Sequence, residues 1–278
     1  MTLIAQITDL HVRPNGLACY RVSETNMLAE RAVRSLLALP QVPDAVVVTG
    51  DLSDRDDQRE YNIVKRLLDL LPMPVYVIPG NHDTSAGIRK AFADYPGVSD
   101  NTGDKLCYTA DIGDVRLVAL DSSVPGAPHG EIGSTQLAWL RDALKQSEKP
   151  TVVAVHHPPC SVGLAGMDSI GLIDSADLAE VIEPAQHVER IICGHVHRPI
   201  TAAFAGKIMT LAPSVAHQVV LDFAEDAPPQ FNFEPSAYFI HQHVKATGLV
   251  SHLAYVERFP GPYPFWSDEG VAWPGDED

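Results

Sequence analysis

Five short clusters of Asp, Asn and His, each directly after a strand-like apolar run, constrain this chain more than any other feature. Asp9 and His11 follow LIAQIT as D-x-H, and Asp51 follows AVVVTG. Asn81 and His82 follow PVYVIPG, His156 and His157 follow TVVAV, and His195 and His197 follow ERIICG. In an open α/β sheet, the loops beyond the carboxyl ends of the strands gather at one edge, and ligands bind there. Residues spread from position 9 to position 197 are therefore expected to converge. Side chains at i and i+2 of an extended chain point the same way, which predicts that Asp9 with His11, and His195 with His197, face one centre. Gly50, Gly80 and Gly194 precede these residues and let the backbone turn and approach closely.

The surrounding pattern supports such a sheet. Helical stripes are predicted over 22–39 (Met27, Leu28, Ala32, Leu36, Leu37), 57–71 (Ile63, Val64, Leu67, Leu68, Leu71), about 134–146 and about 175–184. They alternate with the apolar runs, an α/β arrangement with a largely buried sheet. CYTAD at 107–111, then Gly113 and VRLVAL, reads as a hairpin, which makes the sheet mixed. From about 200 the segments are mostly strand-like and are expected to complete a second sheet and a cap. Residues 1–258 form the predicted domain, and 259–278 a loosely ordered Pro/Gly/acid-rich tail in which Trp266 and Trp273 are expected to pack on a neighbouring surface.

Composition narrows the partners. A chain of 278 residues, 45% hydrophobic and 20% charged, is large enough for a core without disulfides. Twenty basic against 36 acidic residues give a net charge of -16, which disfavours anionic membranes and long nucleic acid duplexes. No apolar run is long enough to span a bilayer, and the start of the chain lacks the basic region of a signal peptide. Cys19, Cys107, Cys160 and Cys193 are scattered without a CxxC pair, the pattern of reduced thiols in a cytoplasmic protein. The carboxylate, imidazole and amide groups of the five clusters suit borderline divalent ions, Mn, Fe, Zn or Co, and no thiolate joins them.

The ordered set D-x-H, GDxxD, GNHD, H and GHxH resembles the signature of the calcineurin-like metallophosphoesterases. AVHHPP followed by MDSIGL, then ICGHVHRP and LAPSVAHQVV, bring the likeness nearest to the class III cyclic nucleotide phosphodiesterases and glycerophosphodiesterases, over roughly residues 3–221. The resemblance implies a four-layer α/β/β/α sandwich of two mixed sheets, with a small C-terminal cap or dimerisation element and a homodimeric or higher assembly. It implies two divalent ions per chain: Asp9, His11 and His197 on the first, Asn81, His156 and His195 on the second, and Asp51 bridging them. It further implies His82 as a catalytic residue beside the phosphate, with Asn81 also facing substrate. Asp54 is then expected to orient His82, and His217 and Tyr20 to touch the substrate.

The implied reaction is hydrolysis of a small anionic phosphodiester, a 3',5'-cyclic nucleotide or a glycerophosphodiester, by a metal-bound hydroxide. Phosphomonoesterase and phosphonate monoesterase activities stay open, as does a non-catalytic protein-binding scaffold, although no metal-ligand position is lost. Adjacent residues of a strand point to opposite sides, so only one of His156 and His157 is expected in the centre; His157 is assigned a structural role. Asp83 is expected to cap its loop, and Arg13 and Arg198 to pair with acids. His129, His187, His241, His243 and His252 receive no role in the site.

Overall fold

A computed structural model describes residues 1–99, 101 and 103–263; the predicted tail beyond, with Trp266 and Trp273, lies outside the described residues. The first sheet is built on β1 (Thr2–Ile7), β2 (Ala45–Val48) and β3 (Val75–Val77), which run parallel. Helices α1 (Thr25–Leu37) and α2 (Gln58–Leu68) connect them, and α3 (Ser85–Ala91) follows β3. The second sheet begins with the predicted hairpin, β4 (Tyr108–Ile112) and β5 (Val115–Ala119), which pair antiparallel. It continues with β6 (Thr151–Ala154) and β7 (Val188–Cys193), parallel to β5, and α4 (Ser134–Lys145), α5 (Ala165–Asp168) and α6 (Ser175–Ile182) lie along the connections.

The strand-rich segment after 200 divides between the two sheets, where a single second sheet with a cap was expected. β8 (Ile200–Phe204) and β9 (Lys207–Leu211) extend the second sheet beside β7. β10 (Gln218–Val219) and β11 (Phe231–Asn232) form a separate two-stranded ribbon. β12 (Ala237–Val244) and β13 (Gly248–Tyr255) return to the first sheet, where β12 lies antiparallel to β1. Alternation marks a segment as strand but carries nothing about its partner, so this division was not visible in the pattern. Both sheets are mixed, in the orders β13-β12-β1-β2-β3 and β4-β5-β6-β7-β9-β8.

Side-chain alternation sets the layers. Leu117 and Ala119 of β5, Val152 and Ala154 of β6, and Ile192 of β7 share one core with the first sheet. Their neighbours Val118, Val153, Ile191 and Cys193 face the opposite way, into a core with Leu137, Leu140 and Leu144 of α4 and Leu178, Val181 and Ile182 of α6. Helices α1 and α2 cover the first sheet, completing the four-layer sandwich. On α1 the buried stripe is Ala29, Ala32, Val33 and Leu36, while Met27 and Leu37 are exposed. Small alanines at i and i+3 let the helix approach the sheet, so the largest apolar residues do not mark the buried face. Helices α3 and α5 span seven and four residues, too short to show a stripe.

A polar thread crosses the apolar interior, beside other links between the sheets such as Tyr108 Oη to Val77 O (2.8 Å). Ser251 Oγ donates to His241 Nδ1 (2.7 Å), and His241 Nε2 donates to Gln6 Oε1 (3.0 Å). The Gln6 amide nitrogen donates to Thr49 Oγ1 (2.9 Å) in the first sheet and to Cys193 O (2.9 Å) in the second. Burial, aided by the charge of Arg190, pushes His241 down to about 3. Unfolding restores an ordinary pKa of about 6.5, so the unfolded chain binds the extra proton as pH falls. Stability held by neutral His241 is complete above that pH and is lost progressively on acidification toward the folded value.

The loss from this one group between neutral pH and pH ~5 is about 2 kcal/mol. His241→Gln can form both hydrogen bonds without titrating. Urea denaturation of this variant between those two pH values is expected to show a shallower decline than that of the unmodified protein. Parallel declines would refute the assignment.

Candidate metal centre

The strands stop short of the site, and the candidate ligating groups sit on sharply turned backbone. Asp9, His11, Asp51, His195 and His197 have φ of 53°, 45°, 50°, 68° and 54°. This is the left-handed region that non-glycine residues occupy uncommonly, with Asp and His among the better tolerated. The expectation that i and i+2 converge because the chain is extended is therefore corrected. The pairs do converge, but through alternate left-handed turns. Main-chain bonds hold them there, from Asp9 N to Gly50 O (3.0 Å) and from His11 N to Asp51 O (3.0 Å). Gly80 is required by close approach: a Cβ there would overlap the Asp51 carboxylate and sit 2.5 Å from the Asp51 backbone nitrogen.

All seven residues expected as ligands come together. Oxygen or nitrogen atoms of Asp9, His11, Asp51 and His197 lie within 4.8 Å of one another. Asn81 Oδ1 lies 2.9 Å from His195 Nδ1 and 3.1 Å from His156 Nε2. Asp51 Oδ2 stands between the two groups, 3.6 Å from His11 Nε2 and 3.5 Å from His156 Nε2. Second partners set the tautomers. His156 Nδ1 donates to Thr49 O (2.8 Å), and His197 Nδ1 donates to His217 O (2.8 Å). A neutral ring then aims an Nε2 lone pair inward, at Asn81 Oδ1 for His156 and at His11 Nε2 (3.1 Å) for His197. Where such a ring is protonated its Nε2–H fills the gap instead, and a divalent ion can take the place of those protons, so the donor set fits two divalent ions.

The titration pattern has the same sign. Burial opposes ionisation of Asp9 and Asp51, yet His197 and His156, respectively, hold the two carboxyls below the ordinary range. Burial alone would lower His156, but Asp51 beside it raises it to about 9; His197 is raised by Asp9. Burial lowers His11, and burial with His156 lowers His195 to about 3. Protons thus collect beside the two carboxylates and cannot serve every imidazole.

Around this centre, His82 donates from Nδ1 to the main-chain oxygen of Asp54 (2.8 Å). The Asp54 carboxylate is 3.9 Å away and instead contacts Arg13 Nη1 (3.1 Å) and accepts from Cys19 Sγ (3.2 Å). Asp54 thus orients His82 through its carbonyl, a contact that side-chain chemistry does not reveal. Arg13 also pairs with Glu60 (2.9 Å), and Arg198 with Glu234 (3.0 Å). His157 has both ring nitrogens engaged, by Ser122 Oγ (2.7 Å) and Pro128 O (3.2 Å). Asp83 clamps two loops, accepting from Leu52 N, Ser53 N and Gly80 N (3.0 Å each) and from Ser53 Oγ (2.9 Å).

A cavity of about 430 Å³ opens over the centre. Tyr20 and His217 line it, their rings 5.4 Å apart, and Phe231 packs against both. Burial, with His197 and His11 beside it, lowers His217 to about 2, so that ring is neutral. Met167 and Ile170 form part of the wall, both from the MDSIGL segment, while Asp168 of that segment caps its own loop through Val162 N (2.7 Å). Phe231 was not anticipated: it lies in a strand-like stretch with nothing in its spacing to link it to the site.

Residues 2–199 match the calcineurin-like phosphoesterase family. The chain is 33% identical to a probable glycerophosphodiester phosphodiesterase, GpdQ, of Arcobacter nitrofigilis, over 96% of this chain and 98% of that one. It is 34% identical to a cAMP/cGMP dual specificity phosphodiesterase of Mycobacterium tuberculosis, over 77% of this chain and 68% of that one. Its fold is similar to that of a dimetal phosphatase from Danio rerio, with a TM-score of 0.65 and 15% identity, covering 92% and 99% of the two chains.

The contact at Gly80 generates a direct test. Gly80→Ala must displace the Asp51 backbone, and an overpacked site of this kind costs about 1–3 kcal/mol. Urea denaturation is expected to show that loss; a variant of unchanged stability would mean that the two loops are not held this tightly.

Proposed function

This chain belongs to the calcineurin-like phosphoesterase family, and we propose that it hydrolyses small phosphodiesters, 3',5'-cyclic nucleotides or glycerophosphodiesters, with two divalent ions. The position of Asp51 Oδ2 carries the reading: it is nearly equidistant from one imidazole of each ligand group, where a carboxylate can serve two ions. Asp9, His11 and His197 would hold the first ion, Asn81, His156 and His195 the second, and Asp51 would serve both. Ions bound there, Mn, Fe, Zn or Co, lower the pKa of water and polarise a phosphate oxygen.

The chain's own residues supply the rest. The neutral amide of Asn81 adds no charge against an anionic substrate. Because His82 Nδ1 is committed to Asp54 O, its other nitrogen is the one free to act. Burial lowers the His82 pKa, but Asp51, the Asp54 carbonyl and the Asp54 and Asp83 carboxylates together outweigh it and leave it raised. We assign His82 to hydrogen-bond the phosphate and to protonate the oxygen that leaves as water attacks phosphorus. Tyr20, His217, Met167, Ile170 and Phe231 bound the space for the leaving group, and the walls around them are largely apolar. Among the described residues no helix is long and apolar enough to cross a membrane. A cytoplasmic location belongs to the same reading, supported by four free cysteines, and so does a homo-oligomer, supported by exposed Leu221, Phe223 and Phe233 near the β10–β11 ribbon.

Two variants separate the roles. His82→Ala is expected to lower kcat by about 10²–10⁴-fold with metal content unchanged by elemental analysis. Asp51→Ala is expected to lose at least one ion. Equal loss of rate and metal in the first, or two tightly held ions in the second, contradicts these assignments.

The substrate class is tested on Mn²⁺-reconstituted protein with 3',5'-cyclic AMP, glycerophosphoethanolamine and a simple phosphomonoester, beside an EDTA-treated control. A diester preference in kcat/KM that EDTA abolishes is expected. A monoester preference would place the activity elsewhere in the family, and inertness toward all three would favour a scaffold role.

A further inference from the structure

Gln6 is a fully buried amide in a mostly apolar strand, and both donors of that amide lead to the roots of ligand loops. Its nitrogen donates to Thr49 Oγ1 and to Cys193 O. Thr49 lies two residues before Asp51, and its carbonyl accepts from His156 Nδ1 (2.8 Å). Cys193 lies two residues before His195, and Gln6 itself lies three before Asp9. One side chain thus touches, or adjoins in sequence, the base of three loops that carry five of the seven ligands (Asp9, His11, Asp51, His195 and His197), from both sheets.

Its orientation is determined. A glutamine amide has two N–H donors and an acceptor oxygen. Both donors are used, and Oε1 receives His241 Nε2–H (3.0 Å), whose ring is fixed in turn by Ser251 Oγ (2.7 Å). A flipped amide would set its oxygen against the Cys193 carbonyl and its nitrogen against the His241 donor. Apolar contact between the sheets is non-directional and fixes their separation better than their slip. Ligand distances in a metal site tolerate only about 0.2 Å, so slip between the sheets must be restrained by something directional.

We propose that Gln6, held in one orientation by His241, is a positioning residue for the metal centre: it registers the first sheet against the second so that the Asp51 and His156 loops meet the His195 loop. The inference rests on the metal assignment made above. Neither Gln6 nor His241 touches substrate or metal; each acts through Thr49 and Cys193.

The test is Mn²⁺ titration calorimetry on metal-stripped full-length protein, beside thermal denaturation. Gln6→Met keeps the volume and loses the amide, and is expected to weaken Mn²⁺ binding by about tenfold, the low end of what losing a ligand's own hydrogen-bond partner costs, since Gln6 acts one step further out. His241→Leu is expected to do the same, and His241→Gln, which can still donate to Gln6 and accept from Ser251, to restore affinity. The double variant Gln6→Met/His241→Leu should be no worse than Gln6→Met alone. Leu36→Ala, in the core of α1 away from the site, should lower Tm and leave affinity unchanged.

Unchanged Mn²⁺ affinity in Gln6→Met, with only Tm reduced, would overturn the proposal. So would equal damage in His241→Gln and His241→Leu, a comparison that decides the matter if Gln6→Met does not fold. His156→Ala distinguishes the two levels. If it too binds Mn²⁺ normally, the metal assignment fails; if it loses the metal while Gln6→Met does not, only the positioning role fails.

Discussion

Asp9 and Asp51 are buried side by side with four imidazoles, and among the described residues no lysine or arginine pairs with either carboxylate. Burying carboxylates without compensation is expensive, so the local structure turns on how that charge is met. The carboxylates raise His156 and His197, so these are the imidazoles on which the site favours a proton. His11 and His195 are left neutral, the latter with a buried Nε2 that has no partner. Divalent ions would meet the carboxylates and take the place of those protons. The left-handed backbone at five of the candidate ligating positions is tolerable only where the surroundings over-determine it, and here the main-chain bonds between the loops after β1 and β2 supply part of that constraint.

Much of this centre was legible because its chemistry demands particular residue types at particular places. Only a few side chains can ligate, and a parallel sheet allows only its strand ends to gather, so D-x-H, GNHD and GHVH stood out from an apolar background. The reason given for the i, i+2 pairs was wrong, however. Extended and alternately left-handed chain can each bring Asp9 and His11 to one point, and residue identity does not distinguish them. Asp54 shows a second limit: the sequence suggests a carboxylate acting on His82, whereas the contact is a main-chain carbonyl, which every residue possesses.

The fold was legible to a similar depth. Strand and helix types followed from periods of about 2 and 3.6, and the hairpin at Gly113 made the sheet mixed. The return of β12 and β13 to the first sheet was not legible, since pairing depends on long-range fit. Yet this return brings His241 beside Gln6 and gives β1 an antiparallel neighbour opposite β2.

A polar residue in the middle of a buried apolar strand is a stronger signal than its neighbours suggest. Gln6 in LIAQIT carries no mark of a site residue, because it cannot act as acid, base or strong ligand. Its value lies in direction: an amide with all its hydrogen bonds satisfied adds little net stability, but it discriminates sharply against a shifted arrangement that leaves buried groups unpaired. The same thread carries a cost. To donate to Gln6 and accept from Ser251, His241 must stay neutral, and burial beside Arg190 enforces that at the expense of stability in acid. Registry between the sheets and sensitivity to acid are therefore two consequences of one buried imidazole.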